Sequence, residues 1–102
     1  MSAFTKVASL TDVPPGAPVA VTVQGRALAL YQLDGEVYAT DALCTHAHVN
    51  LCEGDIEGCV IVCPLHFGSF DIKTGHAIDP PACEDLKTYD AKIVDGDIHV
   101  AL

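Results

Sequence analysis

Between Val19 and Tyr38 the apolar positions fall in short, punctuated runs. Val19, Val21 and Val23 alternate with Ala20 and Thr22, the period-two pattern of a half-buried strand. Gln24-Gly25 breaks the run, and Ala27-Leu28-Ala29-Leu30-Tyr31 resumes it. Asp34-Gly35 is a strong hairpin signal, because both central residues of a type I′ turn need positive φ. Glu36–Thr40 is the return strand. The C-terminus repeats the device, with a strand over Lys87–Val94, a turn at Asp95-Gly96 and a strand over Asp97–Ala101. Helical periodicity is nowhere sustained over three turns, and Pro14-Pro15-Gly16, Gly54, Gly58 and Pro80-Pro81 interrupt the remainder. The pattern predicts an all-β chain, a small antiparallel β sandwich or barrel.

Roughly Asp41 to Pro81 reads differently. Together with Cys83 just beyond, it holds all five cysteines and four of the five histidines. The expected plan is one domain over residues 1–102, a β base carrying an inserted, metal-bearing segment at about 41–81. Functional groups on loops of a rigid β scaffold are the usual arrangement.

Charge and composition narrow the function. With 14 acidic side chains against 5 Lys plus Arg, the net charge is −9. Nucleic acid and anionic membrane surfaces would repel such a chain, whereas a protein with a basic docking face would not. Apolar runs such as Ala27–Tyr31 and Cys59–Cys63 reach five residues, far short of the roughly 20 that span a bilayer. The N-terminal residues lack a basic start followed by an apolar stretch, so a secretory signal is not expected and the chain reads as cytoplasmic. In a reducing compartment, clustered Cys and His point to metal rather than to disulfides.

The cluster has a definite spacing. Cys44-Thr45-His46 is followed by 16 residues and then by Cys63-Pro64-Leu65-His66. Two thiolates and two imidazoles suit either a tetrahedral zinc or a [2Fe–2S] cluster with Cys on one iron and His on the other. Zinc loops usually pair like ligands, with a helix carrying the histidines. Here each loop offers one Cys and one His, so each can hand one ligand to each iron of a dinuclear centre.

The pair C-x-H and C-x-x-H, as Cys-Thr-His and Cys-Pro-Leu-His-Phe-Gly, resembles the Rieske proteins. The resemblance extends to the strand before the first loop (Gly35–Asp41), to Phe70-Asp71 and Thr74-Gly75, and to the proline loop at Asp79-Pro80-Pro81. It implies the Rieske fold with its cluster-binding subdomain, and one [2Fe–2S] cluster with Cys44 and Cys63 on the inner iron and His46 and His66 on the outer one. Small acidic members resembling this chain are ferredoxins of bacterial aromatic-ring-hydroxylating dioxygenases. The resemblance therefore implies an electron carrier rather than an enzyme, with a flavoprotein ferredoxin reductase and a terminal oxygenase as partners. A zinc-stabilised interaction module, and a Rieske subunit of a nitrite reductase or monooxygenase, are the alternatives.

One departure bears on the potential. Respiratory and photosynthetic Rieske subunits brace their loops with a disulfide, at positions that are Val49 and Leu65 here. Without that brace, and with a net charge of −9 opposing an added electron, the low end of the Rieske range is expected, about −150 mV rather than about +300 mV. Two neutral imidazoles in place of two thiolates still keep the potential above that of plant-type ferredoxins. The outer ring nitrogens of His46 and His66 are candidates to meet the partner and to titrate with redox state.

Cys52, Cys59 and Cys83 match no ligand position and read as packing residues. His48 reads as an exposed loop residue near the cluster, and His76 and His99 as surface or turn residues. Val49, Leu65 and Phe67 read as shielding for the cluster, a docking rim, or both. Ser69 reads equally as a donor to a cluster sulfur or as a core or turn residue.

Overall fold

The computed structural model describes residues 4–43, 50–64, 68–79 and 85–102. Among these described residues, eleven strands and two 3-10 turns make up the regular structure. In chain order the strands are β1 (Phe4–Ser9), β2 (Val19–Val23), β3 (Arg26–Leu33), β4 (Glu36–Asp41), β5 (Asp55–Glu57), β6 (Val60–Val62), β7 (Ser69–Asp71), β8 (Ala77–Asp79), β9 (Thr88–Tyr89), β10 (Ala91–Val94) and β11 (Asp97–Ala101). The 3-10 turns are Leu10–Asp12 and Leu51–Glu53. They form three antiparallel sheets, ordered β1-β11-β10, β2-β3-β4-β9 and β5-β6-β7-β8.

Three hairpins turn on the same chemistry. At Gln24-Gly25, Asp34-Gly35 and Asp95-Gly96 the first residue has φ 51° and the glycine φ between 77° and 81°. Two successive positive φ values define the type I′ turn, whose twist matches that of the flanking strands.

The middle sheet is covered on both faces. Leu28 and Leu30 of β3, with Val37 and Ala39 of β4, pack with Val13, Ile98 and Val100 into one core. Ala29, Tyr31 and Leu33, on the opposite face of β3, enter a second core with Ala42, Leu51, Ile61, Cys63, Phe70, Ile72 and Leu86. This explains why Leu28–Tyr31 is an unbroken apolar run: a strand buried on both faces has no solvent side to mark with polar residues.

One expectation needs correction. The strand expected over Lys87–Val94 is broken at Asp90. Thr88 and Tyr89 pair with Thr40 and Ala39 in the middle sheet, whereas Ala91–Val94 pair with Val100–Asp97 in the first. The chain thereby turns a corner between two packed sheets, as sandwiches do where a strand changes partner sheet. The Asp90 carbonyl accepts from Ala101 N at 2.9 Å, so the corner keeps its backbone bonded. His99 sits in β11 between Lys6 and Lys92, in the expected C-terminal strand and partly exposed. Strand β1, along the edge of β11, carries no clean alternation and was not expected. Its register slips between Lys6 and Ala8.

Candidate metal centre

The first ligand loop hangs from a closed neck. Ala42 is fully buried, Leu43 and Asn50 form an antiparallel bridge, and Leu51 N donates to Ala42 O at 2.7 Å. Leu51, also fully buried, anchors the 3-10 turn that follows. Asn50 caps that turn, its side-chain oxygen accepting from Cys52 N at 2.8 Å. Asn is a favoured cap because its short side chain reaches the otherwise unpaired amides of the first turn.

The second loop joins β6 to β7. Val62 pairs with Ser69, and inside that pair Cys63 N donates to Gly68 O at 2.7 Å. Cys63 itself is fully buried within the second core. Of the four expected ligands it is the one in the described part; Cys44, His46 and His66 lie outside the described residues, as do His48, Val49, Leu65, Phe67 and Cys83.

The two necks lie against each other at Gly54, which ends the 3-10 turn after the first loop. A Cβ on Gly54 would overlap the Val62 carbonyl oxygen and come within 3.2 Å of Pro64 Cδ. Val62 and Pro64 flank Cys63. The bare backbone at Gly54 therefore brings the exit of one ligand loop onto the root of the other. A buried thiol at this junction, with a Cys and His on one loop and a His on the other, is a donor set that fits a group held between two loops.

A match to the Rieske [2Fe–2S] domain model spans residues 3–90. The chain belongs to that family. Its cofactor is accordingly a [2Fe–2S] cluster, which displaces the zinc alternative. A Ralstonia sp protein, the ferredoxin component of naphthalene 1,2-dioxygenase/salicylate 5-hydroxylase systems, is 50% identical over 86 residues, 84% of this chain and 83% of the relative. The Sphingomonas yanoikuyae B1 ferredoxin superposes with a TM-score of 0.93 at 42% identity, covering 98% of this chain and 99% of that one. The ferredoxin chain in a complex of reduced oxygenase and oxidized ferredoxin in carbazole 1,9a-dioxygenase gives 0.90 at 33% identity, over 99% and 94%.

The remaining expected residues fall as follows. Cys52 and Cys59 are half-buried and pack against the second core, in keeping with the packing reading. Burial pushes the Cys52 thiol up to about 11, so it stays protonated at neutral pH. Ser69 is 2% exposed and lies in β7. His76 is exposed, with Nδ1 3.4 Å from Asp85 Oδ1. The Asp85 carboxylate also accepts from Ala77 N at 2.9 Å, so it fastens the chain just past 80–84 to the start of β8. Among the described residues no three His, Cys, Asp or Glu side chains gather elsewhere as a metal site.

Asn50 and Gly54, which shape the junction of the two loops, are the positions there that sequence reasoning missed. Asn50 followed by a short turn is a legible capping signal. Gly54 read only as a helix breaker, because its close approach to Val62 involves residues that only the folded chain brings together.

Proposed function

We propose that this chain is the one-electron carrier of an aromatic-ring dioxygenase system, moving electrons from an NAD(P)H-dependent flavoprotein reductase to the terminal oxygenase. The observation that carries this reading is the near full-length match to a free-standing ferredoxin component, at 50% identity over more than four fifths of both chains. Among the solved relatives, one of 33% identity is a ferredoxin in complex with its oxygenase. In this reading residues 1–102 are one domain with a cluster-binding part at about 41–81, working in the cytoplasm without membrane or nucleic acid. No helix among the described residues is long and apolar enough to cross a membrane.

Cys63, buried at the junction of the two necks, and Cys44 would hold the inner iron. His46 and His66 would hold the outer one. A [2Fe–2S] cluster bound there supplies reversible one-electron chemistry. The protein's part is to hold it off solvent on the thiolate side and to present the imidazole side to a partner. Leu43, 43% exposed and next to the first ligand, adds apolar surface at that end. A small, transient interface suits a carrier that must leave as readily as it binds. The acidic excess would steer encounter with basic partner faces.

The test is spectroscopic, then kinetic. The purified protein should be red-brown, with an EPR signal that appears only on reduction and a potential at the low end of the Rieske range. Reconstitution with candidate reductases and aromatic-ring oxygenases should restore NAD(P)H-dependent product formation, more slowly as salt rises. A colourless protein with one zinc per chain would overturn the reading. Coupling only to a nitrite reductase would overturn the dioxygenase assignment, and salt-independent rates the steering.

A further inference from the structure

We infer that Gly54, capped into place by Asn50, is a positioning residue for the cluster and does for this chain what a cross-link between the ligand loops would do. Residues 49 and 65 are Val and Leu, so no disulfide ties the two loops at those positions. Three observations converge on Gly54.

Its backbone, φ −94° and ψ −171°, is extended and open to any residue, so conformational freedom is not the reason for a glycine here. Space is the reason. An added Cβ would overlap the Val62 carbonyl oxygen and lie 3.1 Å from Val62 C and 3.2 Å from Pro64 Cδ. Two of these three neighbours are backbone atoms next to Cys63, and backbone in a paired strand yields only by moving the strand. Gly58, in the turn between β5 and β6, makes the contrast: its φ is +64°, yet a Cβ there would meet nothing within 4 Å.

The contact is also held from the other side. Gly54 N donates to Leu51 O at 2.9 Å, Leu51 N to Ala42 O at 2.7 Å, and Asn50 Oδ1 accepts from Cys52 N at 2.8 Å. Leu51 is fully buried. The path from the first loop to the root of Cys63 thus runs through four consecutive residues, Asn50 to Glu53, whose backbone or side chain is bonded or packed, and ends in a contact without slack. Groups that orient metal ligands without touching the metal typically alter metal affinity about 10- to 100-fold when removed.

This inference rests on Cys63 being an iron ligand, and the experiment separates the two. Cluster-loaded wild type, Gly54→Ala, Asn50→Ala and Gly58→Ala are compared by far-UV circular dichroism, reduced-state EPR, potential and the rate of cluster loss to a chelator. Gly54→Ala should keep the far-UV spectrum, shift the EPR g values and the potential, and lose the cluster about tenfold faster or more. Asn50→Ala should move the same readouts in the same direction by less. Gly58→Ala should lower thermal stability while leaving EPR and potential unchanged. If Gly54→Ala does not fold, Asn50→Ala decides. Wild-type EPR, potential and loss rate in the folded variants would overturn the inference. A Cys63→Ser protein with an unaltered cluster spectrum would overturn the ligand reading beneath it.

Discussion

Replacing Tyr31 or Thr40 tests the polar link between β3 and β4 inside the second core. Both side chains are fully buried. Tyr31 Oη lies 2.9 Å from Thr40 Oγ1, and Thr40 Oγ1 donates to Asp41 O at 2.9 Å. The single threonine proton is thus committed to the Asp41 carbonyl, and Tyr31 is the donor of the pair. Tyr31→Phe removes a donor and leaves Thr40 with its carbonyl partner, a loss of about 1 kcal/mol. Thr40→Val preserves shape but strands a buried phenol, a loss of about 1–3 kcal/mol. With an unfolding entropy of about 2.1 cal/mol/K per residue, 102 residues give about 0.21 kcal/mol/K, so 1 kcal/mol is about 5 °C in Tm. Thermal unfolding of the cluster-loaded protein should then drop by about 5 °C for Tyr31→Phe and about 5–14 °C for Thr40→Val. The double variant should melt above Thr40→Val alone, because it leaves no orphaned donor. If Thr40→Val is no worse than Tyr31→Phe, or the double variant shows no rescue, the assigned direction of the hydrogen bond is wrong.

Three further outcomes are expected. Phe70, fully buried in β7 opposite Ile61, should cost about 3–5 kcal/mol as Phe70→Ala, read as a lowered urea midpoint; a loss below about 1 kcal/mol would mean this core is not packed. Gly35→Ala, at φ +81° with open space around it, should cost only backbone strain of about 1–2 kcal/mol. Gly75→Ala, at φ +78°, adds an overlap with Leu86 O and should cost clearly more; equal losses would deny that contact. Burial raises the Cys52 thiol from 9.0 to about 11, so the folded state holds this proton more tightly than the unfolded state. Its contribution to stability is intact below pH 9 and is lost as pH rises through about 11. Tyr31, raised from 10.0 chiefly by burial, acts in the same direction above pH 10. A Tm-against-pH curve should fall from pH 9 upward, and Cys52→Ala should flatten its first part.

Much of the fold was legible because its signals are local. Type I′ turns at Asp34-Gly35 and Asp95-Gly96 require residues that tolerate positive φ, and the chain shows them directly. The alternation over Val19–Val23 and the apolar run before Tyr31 marked strands correctly. Strand β1 was not legible, since Phe4–Ser9 is an edge strand with one partner and mixed burial. Nor was the break at Asp90, because Lys87–Val94 is extended throughout and only its partners change.

The same division holds at the metal centre. Ligand type is a matter of side-chain chemistry at fixed spacing, so the Cys-x-His and Cys-x-x-His pairs narrowed the centre to zinc or a [2Fe–2S] cluster, and their resemblance to the Rieske proteins implied the family that the match over residues 3–90 shows. Tertiary structure decided that the middle sheet is buried on both faces, that Cys63 lies within the second core, and that the exit of the first loop rests on Val62 and Pro64 at Gly54. Turns and ligand spacing depend on neighbours a few residues away. Which strand edges pair, and where a missing Cβ lets two loops meet, depend on residues far apart in the chain that only folding brings together.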